Sequence, residues 1–351
     1  MYTREIQAPR PSPIEAGSPL QGTWTEAFKE VNLMDIHRPY GLALPRWLVN
    51  NRIREWQSFS VQDDRFFLHA ILLNVKFLGA IQVLFYDKQT GERMKLRRLV
   101  APNRFHLPLS LSNAYIDDQS GGFSFRIHDW LDARTILVDL NIEAGRRGQR
   151  PPFTAQLRYI LPREAVTPLV VSLLFSGRRS MYAYKAVAEV RGDIVYRGDC
   201  GSLDPRKTAG LFCDYKGFFP YRTRGSWVNA AGIDGENRRI GFSLAENQTR
   251  ENRRNNENAL WVDGSLTPLP PVRITQPEGL ESEWVIQDLE GMVDLSFKPQ
   301  EYVRDSLNLL LARADYQSAL GYFNGMLINA KGEPIPIRNL WGLGELFYLR
   351  V

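Results

Sequence analysis

A two-residue rhythm constrains this chain most. Phe123, Phe125 and Ile127 alternate with Ser124, Arg126 and His128. Ile136, Val138, Leu140 and Ile142 alternate with Leu137, Asp139 and Asn141, and Phe153, Ala155, Leu157 and Tyr159 with Thr154, Gln156 and Arg158. Successive side chains of an extended strand leave opposite faces, so each run predicts a half-buried strand. Turn signals punctuate such runs at Thr90-Gly91, Arg191-Gly192-Asp193, Asp234-Gly235, Asp263-Gly264 and Lys331-Gly332. Glycine there supplies the positive φ of a tight hairpin. Many short strands so spaced predict an antiparallel sandwich or barrel, not βαβ units. The best helix candidate, Gln300 to Ala312 after Pro299, has leucines that suit a strand equally. The expected fold is all-β.

At 351 residues the chain exceeds the usual size of one core, and its 44% apolar content can fill two without disulfide or metal. Residues 1–20 hold four prolines and read as an extended arm, with order beginning near Gly22-Thr23-Trp24. A Pro-containing segment from Leu161-Pro162 to Ser180 separates two strand-rich flanks. The expected division is therefore the arm at 1–20, an N-terminal β domain at 21–175 and a C-terminal β domain at 176–351.

The 44 basic and 39 acidic residues leave a net charge of +5, without the concentrated basic stripe of a nucleic-acid binder. Cys200 and Cys213 form no disulfide framework. The N-terminus lacks the apolar segment of a signal peptide. The longest apolar stretch, Phe66 to Tyr86, is interrupted by His69, Asn74, Lys76 and Gln82, unlike a membrane-spanning helix. A soluble, cytoplasmic protein is expected.

Phosphate loops, Walker-type lysines and nucleophile elbows are absent. His37, His69, His106 and His128 never stand at ligand spacing, so neither metal nor cofactor is expected. His128 falls on the polar face of its strand, and His69 reads as a satisfied core histidine. Polar and aromatic residues gather instead between Tyr182 and Gly264. Tyr184-Lys185, Asp214, Trp227, Asn247, Glu257-Asn258 and Trp261 all lie there. Carboxylates and amides beside tryptophans in strands suit the mouth of a cavity that orients a mostly apolar ligand. Asp234 and Asp263 are better read as turn residues.

The wider pattern resembles a known family. It comprises Tyr184-Lys185, Asp214, Pro220, Trp227, Asn247, Asn256-Glu257-Asn258 and Trp261-x-Asp263-Gly264. Arg54-Glu55-Trp56, the run Tyr86 to Glu92, Gly291-x-Val293-Asp294-Leu295-x-Phe297-x-Pro299 and Gly342-x-Gly344-Glu345 agree with it. Together they resemble the domain of unknown function family 2804 over nearly the whole chain past residue 10. That resemblance implies two lipocalin-like β halves packed together, similar to AttH-like proteins. Its distant relatives include carotenoid hydratases, some pericyclic cyclases and lipid-carrying survival factors. No catalytic role comes with it, because fold analogy is a weak warrant for function.

Two functions compete. The chain could bind a lipid- or isoprenoid-class molecule, with Trp227 and Trp261 on the cavity wall and Asn247 or Asn258 on a polar head. It could instead be a cofactor-independent hydratase, isomerase or cyclase with Asp214 or Glu257 as a buried proton donor. Close pairing of Lys185 with that carboxylate would count against the second. An interaction module built on Arg250 to Asn258 ranks last.

Overall fold

The long strand Arg179–Tyr196 organises the first part of the chain in this computed structural model, which describes residues 2–145, 150–308 and 313–350. Its first half pairs with Leu169–Ser176 on one side and Ala209–Gly217 on the other. Its second half pairs with Phe153–Ile160 and Asp199–Leu203. One strand thus belongs to two antiparallel arrays. Through Ala209–Gly217 it reaches Arg54–Gln62, Phe66–Asn74, Gly79–Asp87 and Arg93–Val100; through Phe153–Ile160 it reaches Thr135–Ile142, Phe123–Trp130 and Ala114–Ser120.

Gly192 lies just past the point, between Ala188 and Glu189, where that strand passes from one array to the other. Its φ is +141°, and a Cβ would stand 1.8 Å from the Gln156 carbonyl oxygen. The expected turn at Arg191-Gly192-Asp193 is therefore wrong. The glycine serves a close backbone approach inside a strand.

A second sheet begins at Arg222–Ile233 and runs through Arg239–Glu246, Ala259–Val262 and Ser265–Pro268 on one side. On the other side lie Pro334–Arg350, Arg313–Ile328, Val293–Asn308, Trp284–Asp288 and Val272–Thr275. Both sheets curl into antiparallel half-barrels. The stretch beginning at Gln300 is strand as far as Asn308, and residues 309–312 lie outside the described part. Pro299 sits beside a register shift, where a residue without an N–H is tolerated. The change of sheet falls between Gly217 and Arg222, whereas residue 175 lies within Leu169–Ser176 of the first sheet.

Period-two patterning decides what each face meets. Phe59, Phe125, Tyr159 and Phe212 pack together inside the first sheet, and Phe242, Phe297 and Phe323 inside the second. Each such fully buried ring contributes about 1.5–3 kcal/mol. The opposite faces press the sheets together, with Leu211, Cys213 and Tyr215 of the first against Ala231, Ala259 and Trp261 of the second. Phe67 and Leu84 meet Leu320 and Leu343 farther along.

The N-terminal arm is extended, as its prolines require, and is held at several points. Gly22–Trp24 pairs with Leu169–Ser176, and the Gln7 N–H donates to the Thr23 carbonyl at 2.8 Å. Arg4 donates to the carbonyls of Asn256 and Asn258. Order thus begins well before Gly22. Among the described residues, helix is confined to Arg46–Asn50 and two 3-10 turns. No helix of these residues is long and apolar enough to cross a membrane.

Candidate functional site

Strand register divides the expected site residues between two faces. Tyr184 stands opposite Asp214, and Lys185 opposite Cys213. Tyr184 and Asp214 therefore point into the first sheet, while Lys185 and Tyr215 point at the second. Asp214 and Glu257 are not brought together.

Between the sheets, Lys185 Nζ lies 2.8 Å from Glu257 Oε2, and both side chains are fully buried. The ammonium also donates to Ser243 Oγ at 2.9 Å and to the Glu257 carbonyl at 3.0 Å. Tyr215 Oη donates to Glu257 Oε2 and Asn247 Nδ2 to Oε1, each at 2.5 Å. Lys185 and Tyr215 come from the first sheet; Ser243, Asn247 and Glu257 come from the second or its loops. Every member is partnered, so this network ties the two sheets together. Asn258 adds a strut, its Oδ1 accepting the Ala245 N–H at 2.7 Å and its Nδ2 donating to the Pro270 carbonyl at 2.8 Å. Trp261 is fully buried and donates its Nε1–H to the Thr167 carbonyl at 2.9 Å. It is core, not a cavity wall. The loop expected to contact a protein partner turns inward at Asn256, Glu257 and Asn258, all buried.

Inside the first sheet, Lys216 Nζ reaches Asp214 Oδ1 at 2.9 Å and Oδ2 at 3.2 Å. Burial raises Asp214 above the ordinary carboxylate range, against the pull of Lys216. Beside it, Gln57 Nε2 donates to Asp129 Oδ2 at 2.8 Å. Burial lifts Asp129 to about 7, and Asp129 Oδ1 has no hydrogen-bond partner. Burial also pushes the phenols of Tyr182 and Tyr184 up. This cluster can store a proton near neutrality, surrounded by packed aromatic rings.

Where the sheets meet, an aromatic wall is only partly covered. Trp56 stacks on Tyr215 at 4.5 Å, and Trp227 on Phe347 at 4.2 Å. Trp56 lies 5.6 Å from Trp227 and 5.5 Å from Phe219. Both tryptophans are half-buried, and the Trp227 indole N–H is buried without an acceptor. Glu345 stands opposite Trp227 in the register and accepts a hydrogen bond from Tyr316. Burial lifts its carboxyl to about 7.

His69 is buried as expected, yet neither ring nitrogen has a partner, and burial lowers it to about 4. It is thus neutral and unsatisfied, not a satisfied core histidine. His128 is half-buried, stacked between Tyr115 and Trp130. Cys200 is exposed and Cys213 buried, and both are free thiols. Among the described residues no three His, Cys, Asp or Glu side chains form a metal-ligating group.

Sequence reasoning did not assign Gln57, Asp129, Lys216, Trp56, Tyr316 or Glu345 to the site, although Trp56 and Glu345 stand in the family pattern. A signal existed for two of them. Asp129 continues the apolar series Phe123, Phe125, Ile127, and Glu345 interrupts Trp341, Leu343 and Phe347. A carboxylate on an apolar face of period two is buried unless the strand has ended.

The family model for a domain of unknown function, DUF2804, matches residues 3–350. No curated protein matches the chain. Among solved structures, CghA with Sch210972 is similar at 10% identity and a TM-score of 0.53, over 86% of this chain and 89% of that one. A structure of CghA gives 11% identity and a TM-score of 0.52, over 84% and 88%. Kievitone hydratase from Nectria haematococca gives 13% identity and a TM-score of 0.46, over 84% and 88%. The two CghA structures establish a shared fold.

Proposed function

The chain belongs to the DUF2804 family, and from that footing we propose that it binds a small, largely apolar molecule at the seam between its two sheets. The observation carrying this reading is the wall of half-buried Trp56 and Trp227 backed by buried Phe347, with a buried indole N–H that has no acceptor. An unpaired buried donor costs about 1–3 kcal/mol, which a ligand oxygen would offset. Rings of this kind give a ligand large apolar contact area and one polar anchor. The similar CghA fold has a structure with Sch210972, which supports a small molecule as the class of partner. Interior binding is disfavoured, because packed rings occupy both half-barrels.

Binding is favoured over catalysis at the residues first singled out. Both Glu257 oxygens already accept hydrogen bonds, one of them also facing an ammonium. Asp214 is engaged by Lys216 on the far side of the sheet.

The test is a titration with isoprenoids and fatty acids followed by tryptophan emission, alongside native mass spectrometry of the purified protein. A saturable shift that weakens about tenfold in Trp227→Phe supports the seam, since losing one hydrogen bond to a buried group costs about that much. Saturation unaffected by that substitution places the ligand elsewhere, and no saturation across the panel defeats the reading.

A further inference from the structure

Beside the aromatic wall lies a cleft of about 80 Å³ lined by Tyr40, Arg52, Arg54, Arg179, Phe219 and Tyr221, among others. Phe219 belongs to both places, because it also packs on Trp56. Three guanidinium groups converge here. Arg52 and Arg179 lie over the Tyr40 ring, at 5.6 and 6.0 Å from its centroid. Arg54 is 4% exposed and donates through one terminal nitrogen to the carbonyls of Asn51, Ile53 and Val75. Its Nε is buried with no partner. Burial lowers Arg54 to about 10, so it keeps its charge at neutrality.

No carboxylate among the described residues forms an ion pair with any of the three arginines. Arg65, by contrast, is paired with Asp87 and Arg104 with Asp118. Clustered like charges repel, and a half-covered site strengthens the repulsion relative to open water. Planar guanidinium forks match the paired oxygens of a carboxylate or phosphate.

We propose that this cleft holds the anionic head group, a carboxylate or a phosphate monoester, of an amphiphile whose apolar part lies along Trp56 and Trp227. The proposal rests on the seam reading above and adds the charge and orientation of the ligand. Head-group oxygens meet Arg52, Arg179 and the free Nε of Arg54, and the chain runs past Phe219. About 80 Å³ accommodates such a head group, since a single water needs only ~10–15 Å³.

The experiment compares dodecanoic acid, dodecyl phosphate and dodecanol, which share one tail, by tryptophan emission and calorimetry on the full chain. The acid or the phosphate binds at least about tenfold tighter than the alcohol, as expected of charge-assisted hydrogen bonds. Which of the two is tighter identifies the head group. In Arg52→Gln/Arg179→Gln that preference disappears, while dodecanol binds as before and reports an intact fold. Arg54 is left in place because it supports three carbonyls. Equal binding of acid and alcohol, or a preference that survives the double substitution, overturns the anion site and leaves the seam standing. Binding of none of the three overturns both.

Discussion

Lys185 of the first sheet and Glu257, in the loop leading into Ala259–Val262 of the second, meet at 2.8 Å, each with no exposed side-chain surface. The two curled sheets are joined through a charge pair as well as through apolar contact. Removing one partner leaves the other charge buried alone, which costs far more than the pair is worth.

Glu257→Gln is therefore expected to lose about 3–5 kcal/mol of stability in urea unfolding at neutral pH. Lys185→Met combined with Glu257→Gln recovers part of that loss, because the double variant buries no charge and keeps an oxygen acceptor near Tyr215 and Asn247. A single variant within about 1 kcal/mol of the parent would remove the pair from its role.

Asp129 gives the chain a pH dependence of unusual sign. Its carboxyl ionises near 7 when folded, against an ordinary value of 3.8, so between those values the folded state holds a proton that the unfolded state has released. Stability contributed by that site then falls as pH rises through this window. Asp129→Asn should match the parent in thermal midpoint near pH 4 and exceed it at pH 8. Glu345 behaves alike and is present in both proteins, so the difference curve isolates Asp129. Parallel curves would refute the assignment.

Gly192→Ala is expected to cost about 2–3 kcal/mol, because its new methyl collides with backbone that cannot swing away. Gly235→Ala, where a Cβ meets nothing within 4 Å, should stay within about 0.5 kcal/mol. Equal costs in chemical unfolding would contradict the different roles of the two glycines.

A fragment ending at residue 175 lacks Arg179–Tyr196 and Ala209–Gly217, the partners of Phe153–Ile160 and Arg54–Gln62. It should show neither near-ultraviolet circular dichroism nor a cooperative transition. A fragment ending at residue 221 keeps the first sheet whole and should show both. A cooperative transition in the shorter fragment would favour the boundary expected from the proline-containing segment.

The all-β fold was legible wherever one face of a strand is apolar and the other polar. Phe123–Trp130, Thr135–Ile142 and Phe153–Ile160 are such strands. Arg179–Tyr196 was not legible, because its first half is buried on both faces and its glycine resembles a turn. The same double burial hid the division of the site. Alternation says that Lys185 and Tyr184 point oppositely, but only the pairing with Ala209–Gly217 and the second sheet says what each one meets. The arginines of the cleft come from two distant segments, near residues 52 and 179, and no local pattern joins them.

The pairing of Arg54–Gln62 with Ala209–Gly217 also sets an order of events during synthesis. A chain emerging from the ribosome displays Arg54–Gln62 long before its neighbour exists. The hairpin that follows it, Phe66–Asn74, can form at once, but the other edge stays open until residue 217 is free. Contacts so far apart in sequence close slowly, and an open apolar edge invites pairing with other chains. The newborn first sheet is thus most vulnerable to aggregation over the interval in which residues 63–217 are being made.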